Sequence, residues 1–202
     1  MASKLLLVPW LMGIFYSSIP LFWFAIHPTA ARWRRAERSP YFFLLPIWAV
    51  IIAVLGVAAW PWREWQLYSG WWTALAAVPA LALFVISART YRRIGPEFGL
   101  RNLSGEAELR TQDAPQSPVT SGLHGSMRHP IYIAHLTMMA AWTLVSGLTI
   151  NLVLLAVSVV CTFPLMIWME ERELEKRFGQ SYTDYKRKVP LVPVFRFRRH
   201  VS

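Results

Sequence analysis

Two short segments of this 202-residue chain concentrate the residue types that can do chemistry. The first is Gly122–Tyr132, reading Gly-Leu-His-Gly-Ser-Met-Arg-His-Pro-Ile-Tyr, with Arg128 and His129 immediately before Pro130. Proline suits the first turn of a helix, because the N–H it lacks would be unpaired there anyway. The free amides of such a terminus, the helix dipole and Arg128 together suit a carboxylate or a phosphate. The plain alternative is that Arg128 and His129 mark a membrane boundary. The second segment is Glu170-Glu171-Arg172-x-Leu174, running on through Phe178-Gly179-x-x-Tyr182-x-x-Tyr185. Leu174, Phe178 and Tyr182 recur every four residues and share one helical stripe. Gly179 reads as a helix stop, and Ser181 with Asp184 as a fresh N-cap box. A helix lying on the membrane surface would explain the stripe, but not two adjacent carboxylates at the end of an apolar run. His135, one turn beyond Tyr132, is a functional candidate inside an apolar helix, or else the source of an interhelical hydrogen bond.

The elements that must position these groups follow from the charge distribution. The chain is 55% hydrophobic and only 16% charged, which argues against an ordinary soluble enzyme. Four windows hold no charged side chain, histidine aside: 5–31, 39–62, 65–88 and 129–169. A helix rises 1.5 Å per residue, so crossing the hydrocarbon slab takes roughly 20 residues. The first three windows predict one span each, at Leu5–Ile26, Tyr41–Trp60 and Trp71–Ala88. As a single helix, the apolar run Ile131–Met169 would reach roughly 58 Å, about twice that thickness, so it predicts two spans in a hairpin. The break is expected at Ser146-Gly147-Leu148-Thr149. The fold class is therefore all-α: a polytopic membrane protein with five transmembrane helices, a hairpin of helices four and five, and a cytoplasmic helical tail.

Charge asymmetry orients the spans. Of the 21 Lys and Arg residues, only Lys4 and Arg63 fall on one side; Arg32–Arg38, Arg89–Arg128 and the stretch from Arg172 onward hold the rest. The positive-inside rule then places the N-terminus outside and the long loop and C-terminus in the cytoplasm. Trp60, Trp62, Trp65, Tyr68, Trp71 and Trp72 crowd the outer ends of spans two and three, as an interfacial belt would. The net charge of +10 thus reads as topology and contact with membrane lipids, not nucleic-acid binding. No obligate protein partner is inferred. No small-residue cleavage site follows the first apolar stretch, and a short linker is expected at Thr111–Pro118. A single cysteine, Cys161, and five dispersed histidines give no metal constellation. There is no Gly-rich dinucleotide turn and no nucleophile elbow.

Val119-Thr120-Ser121-Gly122 followed by Arg128-His129-Pro130-Ile131-Tyr132 resembles the region before the fourth span of isoprenylcysteine carboxyl methyltransferases. Glu170-Glu171-x-x-Leu174-x-x-x-Phe178-Gly179-x-x-Tyr182-x-x-Tyr185-x-x-x-Val189-Pro190 is similar to the C-terminal signature of that family, which phospholipid N-methyltransferases partly share. The resemblance covers residues 117–195. It implies S-adenosyl-L-methionine bound on the cytoplasmic side, with S-adenosyl-L-homocysteine as product. The residues it implies are Gly122, Leu123, His124, Arg128, His129, Pro130, Tyr132, Glu170, Glu171, Tyr182 and Tyr185. A lipophilic acceptor, prenylcysteine-like or another small lipid, would arrive laterally from the bilayer. A carboxylate acceptor needs no base; for an amine, Glu171 is the candidate, and His135 is the candidate catalytic group on the acceptor side.

The resemblance is incomplete at His124, Gly125, Ala134 and Met166. Basic residues that family members carry at the second and fourth of these would serve a charged acceptor. Residues 1–90 then form the scaffold and acceptor tunnel, 91–128 the cytoplasmic loop, and 129–202 the cofactor-binding and catalytic region. Two alternatives stand beside this reading. One is an NADPH-dependent membrane reductase of the sterol-reductase type, whose members end in a similar aromatic-Gly-x-x-aromatic pattern. The other is a non-catalytic lipid-binding membrane protein.

Overall fold

Long apolar runs with few helix breakers fold here into helices whose ends fall where charge, proline or glycine intervenes. The computed structural model describes residues 2–33, 41–103 and 117–192. We number the principal helices α1 (Ala2–Ile26), α2 (Tyr41–Ala59), α3 (Trp71–Leu103), α4 (Pro130–Ser146), α5 (Thr149–Val157), α6 (Phe163–Phe178) and α7 (Gln180–Lys188). Short helical turns carry α1 on to Trp33 and α2 on to Trp62. Among the described residues there is no strand, only an isolated bridge between Gln66 and Leu148. The basic residues Arg34, Arg35, Arg38 and Arg110, linker residues 111–116, and the arginines Arg196, Arg198 and Arg199 lie outside the described residues.

Four helical stretches are long and apolar enough to cross a membrane: Lys4–Arg32, Tyr41–Trp62, Trp71–Gly95 and Thr149–Phe178. Their surfaces are those of a multi-pass membrane protein. Val57 and Val78 are 77% and 73% exposed, while Ile14 and Leu44 at helix contacts are at most 1% exposed. So contiguous an apolar surface is costly in water and suited to lipid. The stretch expected as span four is a shorter apolar helix of 17 residues, about 25 Å long, because Pro130 starts it and Gly147 stops it. α3 runs past the expected end at Ala88 to Leu103, since the arginines beyond that point are good helix formers leaving an apolar slab. α5 and α6 form one continuous rod through a π-helical turn at Ser158–Thr162. Pro164 lies in the first turn of α6, and its missing N–H accounts for the local change of hydrogen-bond register.

α1 lies at the centre and touches α2, α4, α5 and α6, while α3 packs along α4. Trp48 of α2 donates to Ser18 of α1 at 2.8 Å, and Ser87 of α3 donates to the Ala134 carbonyl of α4 at 2.8 Å. Asn151 of α5 donates to the Pro9 carbonyl at 2.9 Å, pressed against Gly13. The break between α4 and α5 falls at the expected residues. Gly147 has a φ of 64°, and its amide bonds back to Thr143. The loop before α3 clamps this turn: Gln66 donates to the Ser146 carbonyl at 2.7 Å and Tyr68 to the Leu144 carbonyl at 2.5 Å. At the other end of the molecule, α6 stops at Phe178, and Gly179 with a φ of 58° turns the chain into α7. The expected cap box does not form. α7 begins at Gln180, and the Ser181 hydroxyl bonds back to the Phe178 carbonyl, because the glycine alone completes the turn.

Gly147→Ala is expected to destabilise the protein. The new methyl group would sit 2.7 Å from the Tyr68 carbonyl oxygen, and the left-handed backbone there costs a residue with a side chain roughly 1–2 kcal/mol. Thermal unfolding in detergent measures this; an unchanged melting temperature would contradict the clamp.

Candidate functional site

The two chemistry-bearing segments meet at one end of the bundle, where α4 begins, α6 ends and α7 folds back. Pro130 opens α4 with His129 at its cap position, and the Arg128 amide donates to the Pro190 carbonyl at 3.0 Å, so the tail after α7 lies across this terminus. Arg128 Nε donates to Glu171 Oε1 at 2.8 Å, and its Nη1 reaches the carbonyls of Lys186 (3.1 Å) and Val189 (2.8 Å). Lys186 Nζ lies 2.7 Å from Glu171 Oε2 and 2.9 Å from Glu175 Oε1. One carboxylate thus joins the start of α4, the end of α6 and the inner face of α7.

His129 stands between the two glutamates. Its Nε2 is 3.1 Å from Glu171 Oε1, and its Nδ1 is 3.3 Å from Glu170 Oε2. Burial by itself would lower the affinity of this imidazole for its proton. The Glu170 and Glu171 carboxylates outweigh that and hold the pKa up at about 9. The two acids differ in their surroundings. Both oxygens of Glu171 are taken by Arg128, His129 and Lys186. Glu170 Oε2 is within ion-pair range of His129 but makes no hydrogen bond. Glu171, the candidate base for an amine acceptor, is thus bonded to three cationic partners at once.

The remaining expected residues fall into two groups. Gly122, Leu123 and His124 form a 3₁₀ turn under the tail, where the Leu123 carbonyl accepts from Ser126 and the His124 carbonyl accepts from Tyr185 at 2.7 Å. Tyr182 and Tyr185 are buried with Val189 against Leu174 and Phe178. Burial pushes both phenols upward, that of Tyr185 to about 12. These residues hold the tail in place. Tyr132 stacks on His129 with ring centroids 5.4 Å apart, and His135 follows one turn deeper. The rings of Tyr16, Tyr91, Tyr132 and Phe163 surround His135, and its Nδ1 is hydrogen-bonded to the Tyr91 hydroxyl. Sequence reasoning missed Lys186, Glu175 and Tyr91. Glu171 and Glu175 share a helix face at i and i+4, which was a signal, but Lys186 is hidden in a run of three cations. An open cavity of about 440 Å³ lies beside this cluster, lined by Ser126, Arg128, Lys186, Arg187, Lys188, Val189 and Pro190.

A helical membrane protein with a charged cluster at one end of its bundle is the class that this fold and site define. The chain belongs to the phospholipid methyltransferase family, which its residues 71–181 match. That match takes in α3, the first segment and the second as far as Ser181. The chain is also similar to methanethiol S-methyltransferase 2 of Bradyrhizobium diazoefficiens, 30% identical over 158 residues, which cover 78% of this chain and 53% of the relative. The chain therefore spans about half the length of the curated relative it matches. No solved structure matches it.

The His129 bridge should make stability depend on pH. Its folded pKa of about 9 lies above the ordinary value near 6.5, so its contribution is complete below about 6.5 and is lost as pH rises through 9. Melting temperature in detergent is expected to fall across that window, by the equivalent of roughly 1–3 kcal/mol, and His129→Gln to flatten the profile. Identical profiles for the two proteins would contradict the bridge.

Proposed function

We propose that this chain transfers a methyl group from S-adenosyl-L-methionine to a lipophilic acceptor at the cytoplasmic membrane face, releasing S-adenosyl-L-homocysteine. The observation that carries the reading is a basic cavity lined by Arg128 and Lys186–Lys188, at the corner where Arg128 pairs with Glu171 and where the neighbouring Glu170 is buried against His129. Such a corner fits the amino-acid end of the donor. Arg128 with Lys186–Lys188 suits its carboxylate, and Glu170 suits its ammonium. About 440 Å³ is within the usual range for a small-molecule pocket. Family membership supports the same reading, as does a relative named for methylating a thiol.

When bound, the donor supplies an already activated methyl group, so the protein's work is alignment and exclusion of water. Arg128 and Glu170 orient the ligand. The rings of Tyr132, Phe163 and Tyr16 wall off the deeper space around His135. The acceptor is a prenylcysteine-like carboxylate or another small lipid, delivered between helices whose outer faces are apolar. An acceptor that gives up a proton on methylation, such as a thiol or an amine, would lose it to His135, which Tyr91 holds in orientation. In this reading Pro130–Ser146 is the fifth crossing, paired as a hairpin with Thr149–Phe178. The N-terminus lies outside and the tail in the cytoplasm; residues 1–90 form scaffold and tunnel, 91–128 the loop, and 129–202 the catalytic region.

Calorimetric titration in detergent with S-adenosyl-L-homocysteine, and with NADPH as control, tests the proposal. Binding of the former alone is expected, weakened tenfold or more by Glu170→Gln in protein that keeps its helical circular dichroism. Binding of NADPH alone would favour the reductase alternative, and binding of neither the non-catalytic one.

A further inference from the structure

The cytoplasmic end of α1 carries a polar group that the site as described does not use. His27 is 6% exposed, yet neither ring nitrogen has a hydrogen-bond partner. An imidazole buried in this way forfeits a hydrogen bond on each nitrogen, a cost that proteins seldom leave standing without a use. Its position is fixed by packing. The ring stacks on Trp23 at 5.1 Å, and Trp23 packs against both the Phe22–Ile26–Leu44 cluster and the Tyr132–Phe163–Met166 cluster. The turn that bears it, His27–Thr29, touches α6. Met166 of that last cluster lies one helical turn before Glu170 on the same face of α6. Both His27 nitrogens and Glu170 Oε2, which stands 3.3 Å from His129 Nδ1, are buried without a hydrogen bond. They come from parts of the chain 143 positions apart and converge on one corner.

We propose that His27 is a ligand-binding residue that, together with Glu170, takes the ammonium group of the methyl donor. The inference rests on the proposed function and deepens it. An ammonium presents three N–H donors and a positive charge. Glu170 offers negative charge and an oxygen that makes no hydrogen bond, and His27 offers a nitrogen lone pair. The ring faces of Trp23 and Tyr132, each stacked on one of the two histidines, add the apolar and cation-attracting surface that such a group favours. Glu171 does not compete for this role, since Arg128, His129 and Lys186 occupy it. α1 would then be part of the donor site and not merely scaffold.

His27→Phe preserves the ring stack on Trp23 while removing both nitrogens, and His27→Gln restores a polar group. Each is titrated in detergent against S-adenosyl-L-homocysteine and against 5′-methylthioadenosine, which keeps the nucleoside and thioether but lacks the amino-acid end. His27→Phe is expected to weaken the first ligand about tenfold and leave the second unchanged, with partial recovery in His27→Gln. It should also raise the melting temperature of the ligand-free protein, because the unpaired nitrogens are gone. Unchanged affinity for S-adenosyl-L-homocysteine, or an equal loss for both ligands, would overturn the assignment of His27 while leaving the methyl-donor reading intact. Wild-type protein that binds neither compound would overturn the methyl-donor reading itself.

Discussion

Glu171 is the interaction on which the rest of this corner depends. A carboxylate taken out of water costs several kcal/mol unless partners replace its hydration, and the cations facing it carry the same penalty. Here Arg128 and His129 come from the start of α4, Glu171 from the end of α6, and Lys186 from α7. None of these three segments can bury its charge alone. Each needs the other two, so the tail must fold back across the α4 terminus, and Tyr182, Tyr185 and Val189 then bury their apolar surface against Leu174 and Phe178. The guanidinium adds two tail carbonyls to the same knot, at Lys186 and Val189.

Adjacent helical residues point about 100° apart, which explains how neighbouring acids come to do different work. Glu171 faces the tail and is saturated, whereas Glu170 faces inward toward His129 and keeps an oxygen that makes no hydrogen bond. The division has a mechanical logic. Under the proposed function, orientation of a ligand by Arg128 and Glu170 requires that neither moves, and the brace around Glu171 holds both segments. The apolar bundle supplies the complementary part: a central α1, an aromatic enclosure around His135, and outer faces of α2 and α3 that suit lipid.

Much of this architecture was legible in the residues because it is local. Charge-free windows located the helices, Pro130 and Gly147 marked both ends of α4, and Gly179 marked the stop after α6. The span expected at Trp71–Ala88 is only part of α3, because arginine can leave a slab without leaving a helix. The roles within the site were harder to read, since they depend on helix phase and on a fold-back that no spacing encodes. Arg128 read as an anion holder, and the bonds described for it go to the Glu171 carboxylate and to the carbonyls of the tail. His27 gave no signal, because a single histidine at the end of an apolar run resembles any other boundary residue; only its unpaired nitrogens set it apart.

The central claim is that Glu171 braces the tail while Glu170 does not. Hydrogen–deuterium exchange of Gln180–Lys188 in detergent, compared among wild type, Glu171→Gln and Glu170→Gln, tests it most directly. Removing the charge of Glu171 should strip protection from the whole of α7, since breaking a buried ion cluster costs roughly 3–5 kcal/mol, while Glu170→Gln leaves α7 protected. Equal protection of α7 in all three proteins would contradict the account.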